Sequence, residues 1–383
     1  MRLPSSILLA VSLGACGARE VANGPPPLTV ASALGGAEGN PDQGYARATE
    51  PPQLRFPDDH GDHADYRTEW WYVTANLDAD GGGRFGVQLV FFRQALAATV
   101  APRQGTLAAR DLVFAHAAVT DIDGKTFHHA ERMARGAGEL AFVRGARKGE
   151  PFAVRCADWA AESVDGAAFL PLSLHAADPG FALDLVVREG KPLVLQGDRG
   201  LSQKSEARGN ASNYYSMTRL PIAGSITVGD STHQVRGDAW LDREWSTSAL
   251  GPDQVGWDWF SLQLDDGTEV MWYSLRRTDG SSDPWSRGCF VARDGASRRL
   301  EPANVTATPI GTWAAPDGAA SYPARWRLAC TEPAFDLEVT PLLADQELHT
   351  LVRYWEGAVG VDGTRDGKAV RGRGYLEMTG YAR

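Results

Sequence analysis

The sequence predicts an all-β protein built from two related halves, each an antiparallel sheet closed or nearly closed into a barrel. Gly (42) and Pro (22) are abundant beside twelve Trp, and long helical apolar patterns are few, which favours many short strands joined by turns. Trp70-Trp-Tyr-Val-Thr-Ala-Asn-Leu-Asp78 and Trp257-Asp-Trp-Phe-Ser-Leu-Gln-Leu-Asp265 share one spacing: Trp, an aromatic two on, a side-chain amide six on, then Leu-Asp. Each runs into a Gly/Asp turn and a second apolar stretch, Phe85 to Phe92 and Val270 to Leu275, so both read as hairpins and as copies of one another. The closing stretch Gly374-Tyr-Leu-Glu-Met-Thr-Gly-Tyr381 is patterned well enough to seal a sheet instead of leaving an edge.

With 383 residues the chain is long enough for two cores. Residues 1–16 read as a lipoprotein signal: Arg2, the apolar run Ile7 to Leu13, then Leu13-Gly-Ala-Cys16, in which Cys16 is the expected lipidation site. The run falls short of the ~20 residues that span a bilayer. Residues 17–53 are Ala/Gly/Pro-rich and are expected to form a flexible tether, since they offer little apolar surface to offset the entropy of ordering. The first barrel is expected over 54–208 and the second over 209–383. His60 and His63, set among four aspartates, read as a solvated loop, and no metal site is expected.

Stretches alternating with period two follow the first hairpin: Leu112 to Val119, Phe152 to Trp159, and Phe181-Ala-Leu-Asp-Leu-Val-Val187. A Gly/Ser/Lys-rich connection then closes the first half near residue 208. Asn213-Tyr-Tyr-Ser-Met-Thr-Arg-Leu220 reopens the pattern, and its adjacent tyrosines must point to opposite faces. The Trp-rich stretch from Gly237 to Leu275 comes next and holds five of the twelve tryptophans. Arg325 to Cys330, Phe335 to Thr340, Leu351 to Glu356 and the closing stretch complete the second half. Without Cys16, the cysteines Cys156, Cys289 and Cys330 allow at most one disulfide, so the fold is no disulfide scaffold.

Net charge of −10 leaves no basic patch for phosphates, and nucleic acid is excluded as a partner. Gly-x-Ser-x-Gly, the P-loop, the dinucleotide fingerprint and His-Glu-x-x-His are all missing, and no cofactor is expected. What stands out is carboxylates beside aromatics: Glu69, Asp242, Glu244, Asp258, Glu356 and Glu377. Burial in an apolar pocket raises a carboxyl pKa, so it can stay protonated and donate, while aromatic faces stabilise a nearby cation. These parts suit protonation of an unactivated double bond, the first step of hydration or cyclisation of an isoprenoid-like molecule. Asp242, Glu244 and Asp258 are the candidate acids. Trp70, Tyr72, Tyr214, Tyr215, Arg243, Trp245, Trp257, Trp259, Tyr273 and Trp355 are the candidate lining. The competing structural reading pairs Glu and Arg at a barrel rim over a Trp plug.

Tyr66-Arg-Thr-Glu-Trp-Trp-Tyr72, Asn213-Tyr-Tyr-Ser216, Trp240-Leu-Asp-Arg-Glu-Trp-Ser246, Gly256-Trp-Asp-Trp-Phe260, Tyr354-Trp-Glu-Gly357 and the closing stretch resemble the AttH-like, lipocalin-like family that includes carotenoid 1,2-hydratase (hydroxyneurosporene synthase). The resemblance covers residue 55 to the end. It implies tandem lipocalin-like barrels, and relatives that hydrate or cyclise apolar alkenes. Trp245 and Asp242 match the carotenoid enzymes' motif, whereas Arg243 stands where those enzymes carry histidine, which sets this chain apart from carotenoid hydration itself. The function expected is therefore an envelope lipoprotein, facing the periplasm, that binds a hydrophobic small molecule in an aromatic barrel pocket and acts on it as a hydratase. The alternative is a non-catalytic lipid carrier, or an accessory subunit partnering an envelope export system.

Overall fold

The computed structural model describes residues 44–382 except 97, 99–108, 147–149, 165, 167, 249 and 252. The signal, Cys16 and the tether up to residue 43 lie outside the described residues. The first sheet contains β1 (Thr68–Ala79), β2 (Arg84–Ala95), β3 (Asp111–Asp121), β4 (Thr126–Arg135), β5 (Ala141–Arg144), β6 (Ala153–Cys156), β7 (Trp159–Ser163), β8 (Leu172–Asp178), β9 (Phe181–Val187), β10 (Val194–Leu195), β11 (Leu201–Gln203), β12 (Ala211–Val228) and β13 (Ser231–Ser246). The second contains β14 (Gln254–Leu264), β15 (Glu269–Arg277), β16 (Arg287–Val291), β17 (Ser297–Leu300), β18 (Val305–Ala314), β19 (Ser321–Thr331), β20 (Ala334–Pro341), β21 (Glu347–His349), β22 (Arg353–Arg365) and β23 (Lys368–Met378).

Strand order in the first sheet is β4-β3-β2-β1-β13-β12-β9-β8-β7-β6-β5, with β10 and β11 on β12; in the second it is β17-β16-β15-β14-β23-β22-β20-β19-β18, with β21 on β22. The nine strands of the second order match the first nine of the first, β1 with β14, β13 with β23, β12 with β22, and β6 and β5 extend the first sheet beyond them. Register agrees as well. Tyr72 lies opposite Asp242 as Trp259 lies opposite Glu377, and Asp242 lies opposite Ser216 as Glu377 lies opposite Glu356. The duplication read from the two hairpins thus extends through the nine strands that the two orders share.

The division expected at 208/209 is corrected by the pairing: β12 and β13 belong to the first sheet, and the sheets part between Ser246 and Gln254. The Gly/Ser/Lys-rich segment is no linker. It is a strap that folds back on β12 through Leu201 to Gln203, while β13 must pair with β1 to bring that sheet round. Residues 44–53 are also not a free tether. Tyr45 donates to the Ala95 carbonyl (3.2 Å), the Ala46 amide to the Asp65 carbonyl (2.9 Å), and Ala48 is buried.

Alternation gives each sheet two apolar faces. Trp71, Val73, Ala75 and Leu77 of β1 join Leu241 and Trp245 of β13 in the core of the first barrel; Phe260, Leu262 and Leu264 join Leu376 and Met378 in the second. The opposite faces meet in a third core, with Tyr72, Tyr214, Trp240, Trp259, Tyr354 and Tyr375. Each such side chain contributes about 1.5–3 kcal/mol on burial, so the two barrels are held together by a core of their own. The side-chain amide six residues into each hairpin reaches across this junction. Asn76 donates to the Gly374 carbonyl and Gln263 to the Ala239 carbonyl, both at 3.1 Å, and these are equivalent positions of the two halves. Gly86 allows the close approach: a Cβ there would sit 2.5 Å from Ala358 Cβ and 2.8 Å from the Tyr375 hydroxyl.

Candidate functional site

Between the barrels, where the third core thins out, the facing strands leave an elongated cavity. Its empty space, with the solvent at its mouth counted in, is ≈ 800 Å³, but only ≈ 90 Å³ can hold the centre of a water molecule, so it is a narrow slot and not an open cup. That is still room for several waters, which take roughly 10–15 Å³ each on this measure. Both halves supply its walls: Trp70, Tyr72, Tyr214, Asp242 and Glu244 from the first, Trp257, Trp259, Tyr273, Tyr354, Glu356 and Glu377 from the second, and Lys204 from the strap.

The first-half wall is a hydrogen-bonded carboxylate. Asp242 accepts from Tyr214 (2.6 Å), from Trp240 Nε1 (2.7 Å) and from Ser216. Burial drives its carboxyl up to about 7, with these three donors pulling the other way. Two residues on, Glu244 pairs with Lys204 (3.2 Å) and accepts from Ser212. Burial pulls the Lys204 ammonium down, but the Glu244 charge outweighs it and leaves the group above its ordinary value. The ammonium also lies over the Tyr273 ring, 4.3 Å from its centre.

The second-half wall is a pair of carboxyls. Glu356 and Glu377 face each other on β22 and β23. Trp257 Nε1 donates to Glu377 (3.0 Å), and burial lifts that carboxyl to about 7. Burial and then the Glu377 charge push Glu356 well above the carboxylate range. Tyr72 bonds to Oε1 of Glu356, while its buried Oε2 has no hydrogen-bond partner. The Tyr354 hydroxyl is near enough to favour the ionised form but does not complete a bond to that atom. Two like charges so placed cannot both ionise cheaply, so the pair holds a proton at neutral pH. The slot therefore carries a proton donor on one wall and a hydrogen-bonded carboxylate on the other. Trp259 lies between them, edge-on to Tyr72 (5.3 Å) and Trp240 (6.2 Å).

Of the candidate acids and candidate lining residues named from the sequence, Trp70, Tyr72, Tyr214, Asp242, Glu244, Trp257, Trp259 and Tyr273 line this slot. The others do not, because successive strand residues face opposite ways. Tyr215, Arg243 and Trp245 point into the first barrel. There Arg243 is fully buried against Trp71 (3.8 Å to the ring) and pairs with Glu69, while Trp245 stacks on His63 (3.7 Å) and Tyr215 bonds to His60 (2.7 Å). Burial would raise the Glu69 carboxyl, but Arg243 and Arg93 overcome it and hold it well below the usual range. His60 and His63 are parts of this plug, not of a solvated loop. Trp355 is buried in the second barrel, donating to the Ala344 carbonyl (2.9 Å). Asp258 is tied to Arg276 and Tyr381, both at 2.9 Å, and does not line the slot. The expected pocket inside a barrel is accordingly replaced by one between barrels.

Glu356 and Glu377 were legible as carboxylates beside aromatics; aligning the two halves would have set Glu377 on Asp242. Lys204, Tyr354 and His116 carried no such signal. Among the described residues no group of three or more His, Cys, Asp or Glu side chains could hold a metal ion, and Cys156, Cys289 and Cys330 are free and buried.

Two curled antiparallel sheets of matching order, closing an acid-lined aromatic slot between them, define a tandem lipocalin-like β protein. The chain belongs to the AttH-like family, whose model matches residues 47–381. The crystal structure of an AttH candidate from Nitrosomonas europaea is 35% identical, with a TM-score of 0.76 over 88% of this chain and 100% of that one. Kievitone hydratase from Nectria haematococca (15% identity, TM-score 0.66, 88% and 95% covered) and CghA bound to Sch210972 (15%, 0.50, 89% and 97%) share the fold. No curated protein matches the sequence.

Proposed function

We propose that the protein is a hydratase-type acid catalyst that adds water across a carbon–carbon double bond of a hydrophobic, isoprenoid- or phenol-like molecule held in the slot between the barrels. The observation that carries this reading is the facing pair of carboxyls, buried Glu356 and half-buried Glu377, against an aromatic wall, with Asp242 across the slot. Glu356, kept protonated, gives its proton to one alkene carbon. The cation left on the other carbon is stabilised by the faces of Trp259, Trp257 and Tyr72. A water then adds its oxygen to that carbon and loses a proton to Asp242, whose carboxylate is held in place by three donors. The fold-level likeness to a hydratase agrees with this chemistry.

The same reading makes the protein an envelope lipoprotein anchored through Cys16, with the membrane as the source of its apolar substrate. The test is Glu356→Gln, which keeps the shape and removes the proton. Incubated with a panel of isoprenoid and phenolic alkenes, the wild type should yield a product heavier by one water. The variant should bind the same molecule but turn it over ~10²–10⁴ times more slowly. Binding without turnover in the wild type itself would replace the enzyme by a carrier or an export accessory.

A further inference from the structure

We propose that Glu131, His116 and Tyr354 form a proton relay that runs from solvent at β4 to the slot and reloads Glu356 between turnovers. The proposal rests on the hydration reading, because only a cycle that consumes the Glu356 proton needs its return. Hydrogen bonds join Glu131 to His116 and His116 to Tyr354, and Tyr354 lies beside Glu356 without a completed bond. Glu131, with a side chain 24% exposed, lies 3.0 Å from His116 Nε2, and the Leu351 amide donates to the same carboxylate oxygen (3.1 Å), which orients it inward. His116, only 2% exposed, places Nδ1 2.8 Å from the Tyr354 hydroxyl. Tyr354 stands two residues before Glu356 on the slot face of β22, close enough to favour the ionised glutamate, whose buried Oε2 is unpartnered.

A histidine buried only for packing needs one partner. His116 instead joins two titratable groups, one at the outer strand of the first sheet and one in the second, and spans the junction in doing so. The rings of Phe92 (5.6 Å) and Phe114 (5.9 Å) pack against it. Other titratable groups nearby are His129 on β4 and His349, stacked at 6.0 Å, Glu347, which pairs with His349 (3.1 Å), Asp178 and Asp345, whose charges reach His129, and Glu377, whose charge reaches Tyr354. His129 Nδ1 is buried without a partner, and burial, His349 and His116 all hold its pKa below the ordinary value, so it adds no competing charge at neutral pH.

The proton count closes. In each cycle Glu356 loses one proton to carbon and Asp242 gains one from water. Asp242 releases its proton to water as product leaves the slot. A solvent proton meanwhile reaches Glu131 and passes to His116 Nε2. The Nδ1 proton moves to the Tyr354 oxygen as the Tyr354 hydroxyl proton goes to Glu356, and the imidazole resets by exchanging tautomers. Glu131 and Tyr354 end as they began, and Glu356 carries one proton more.

The test follows Glu356 directly, without substrate. Its protonated carboxyl stretch, assigned in the infrared by loss in Glu356→Gln, is recorded after a downward pH jump. In Glu131→Gln and His116→Gln the band should grow at least about tenfold more slowly than in wild type, and added imidazole should restore the rate. Equal rates in all three proteins overturn the relay. Glu131→Gln keeps the test valid should His116→Gln fail to fold, since residue 131 is partly exposed. With a turned-over alkene, Glu131→Gln should spare the first turnover and slow the later ones. Absence of any turnover in wild type would remove the hydration reading while the infrared rates still decide whether the relay exists.

Discussion

Neighbouring residues of one strand serve different ends in this protein. Asp242 and Glu244 look into the slot, while Arg243 and Trp245 look into the first barrel and are held there by Glu69 and His63. The segment Trp240-Leu-Asp-Arg-Glu-Trp245 reads in the sequence as one cluster of acids, arginine and tryptophan, but a pleated strand divides it every second residue. Applied to the whole segment, the period that separates Tyr214 from Tyr215 would have separated Asp242 from Arg243 and Trp257 from Asp258. Glu377 gives this scale its sharpest expectation. Burial holds its carboxyl at about 7 against an ordinary 4.5, so the folded protein binds that proton more tightly than the unfolded chain. The resulting stability is complete below pH ~4.5 and is lost as pH rises through ~7. Unfolding free energies of wild type and Glu377→Gln, compared by denaturant titration, should therefore diverge with pH. Wild type should lose up to ~3 kcal/mol relative to the variant between pH 4 and 8. A difference that stays flat across that range would remove the raised acid from the slot.

The strands that carry the site, β1, β13, β14 and β23, are buried on both faces where they meet the junction, over residues 71–77, 239–246, 258–264 and 374–376. Asn76 and Gln263 cross the junction to equivalent carbonyls, so each hairpin is fixed to the partner half by the residue that made the repeat visible in the sequence. Lys191 and Arg219 of the first half add a clamp on the fully buried Glu269 of the second, at 2.8 and 2.7 Å. The junction leaves no room at Gly86. Gly86→Ala should destabilise the protein by ~1–3 kcal/mol, because the new methyl meets Ala358 and Tyr375 in a packed core. Gly81→Ala, with nothing within 4 Å, serves as the control in thermal unfolding and should leave the midpoint unchanged. Equal effects of the two would mean that the barrels are not in tight contact there. The strap between β9 and β12 shows where element-level reading stops. A Gly/Ser/Lys-rich stretch announces a connection, and nothing local says that Lys204 will be buried over Tyr273 against Glu244.

At the scale of the whole chain, the sequence shows the class, the tandem repeat and the family, because hairpin spacing and strand alternation are local signals. The place of the slot was not legible, because it depends on how two sheets face each other over long range. The division between sheets was missed for the same reason: β13 joins the two arms of the first sheet by pairing with β1, more than 150 residues earlier in the chain. The envelope reading is also tested at this scale. Cys16→Ala should move the protein from the membrane fraction to the soluble fraction on cell fractionation. A variant that stayed with the membrane would sever the link to a lipid anchor. One further consequence attends the matched positions of the two sheets. Two identical copies set face to face would offer the same group from both sides, and neither could give what the other was built to take. Joined in one chain, Asp242 with its serine and Glu377 with its second glutamate are unequal partners, and under the proposed hydration that inequality would set the direction in which an alkene is attacked.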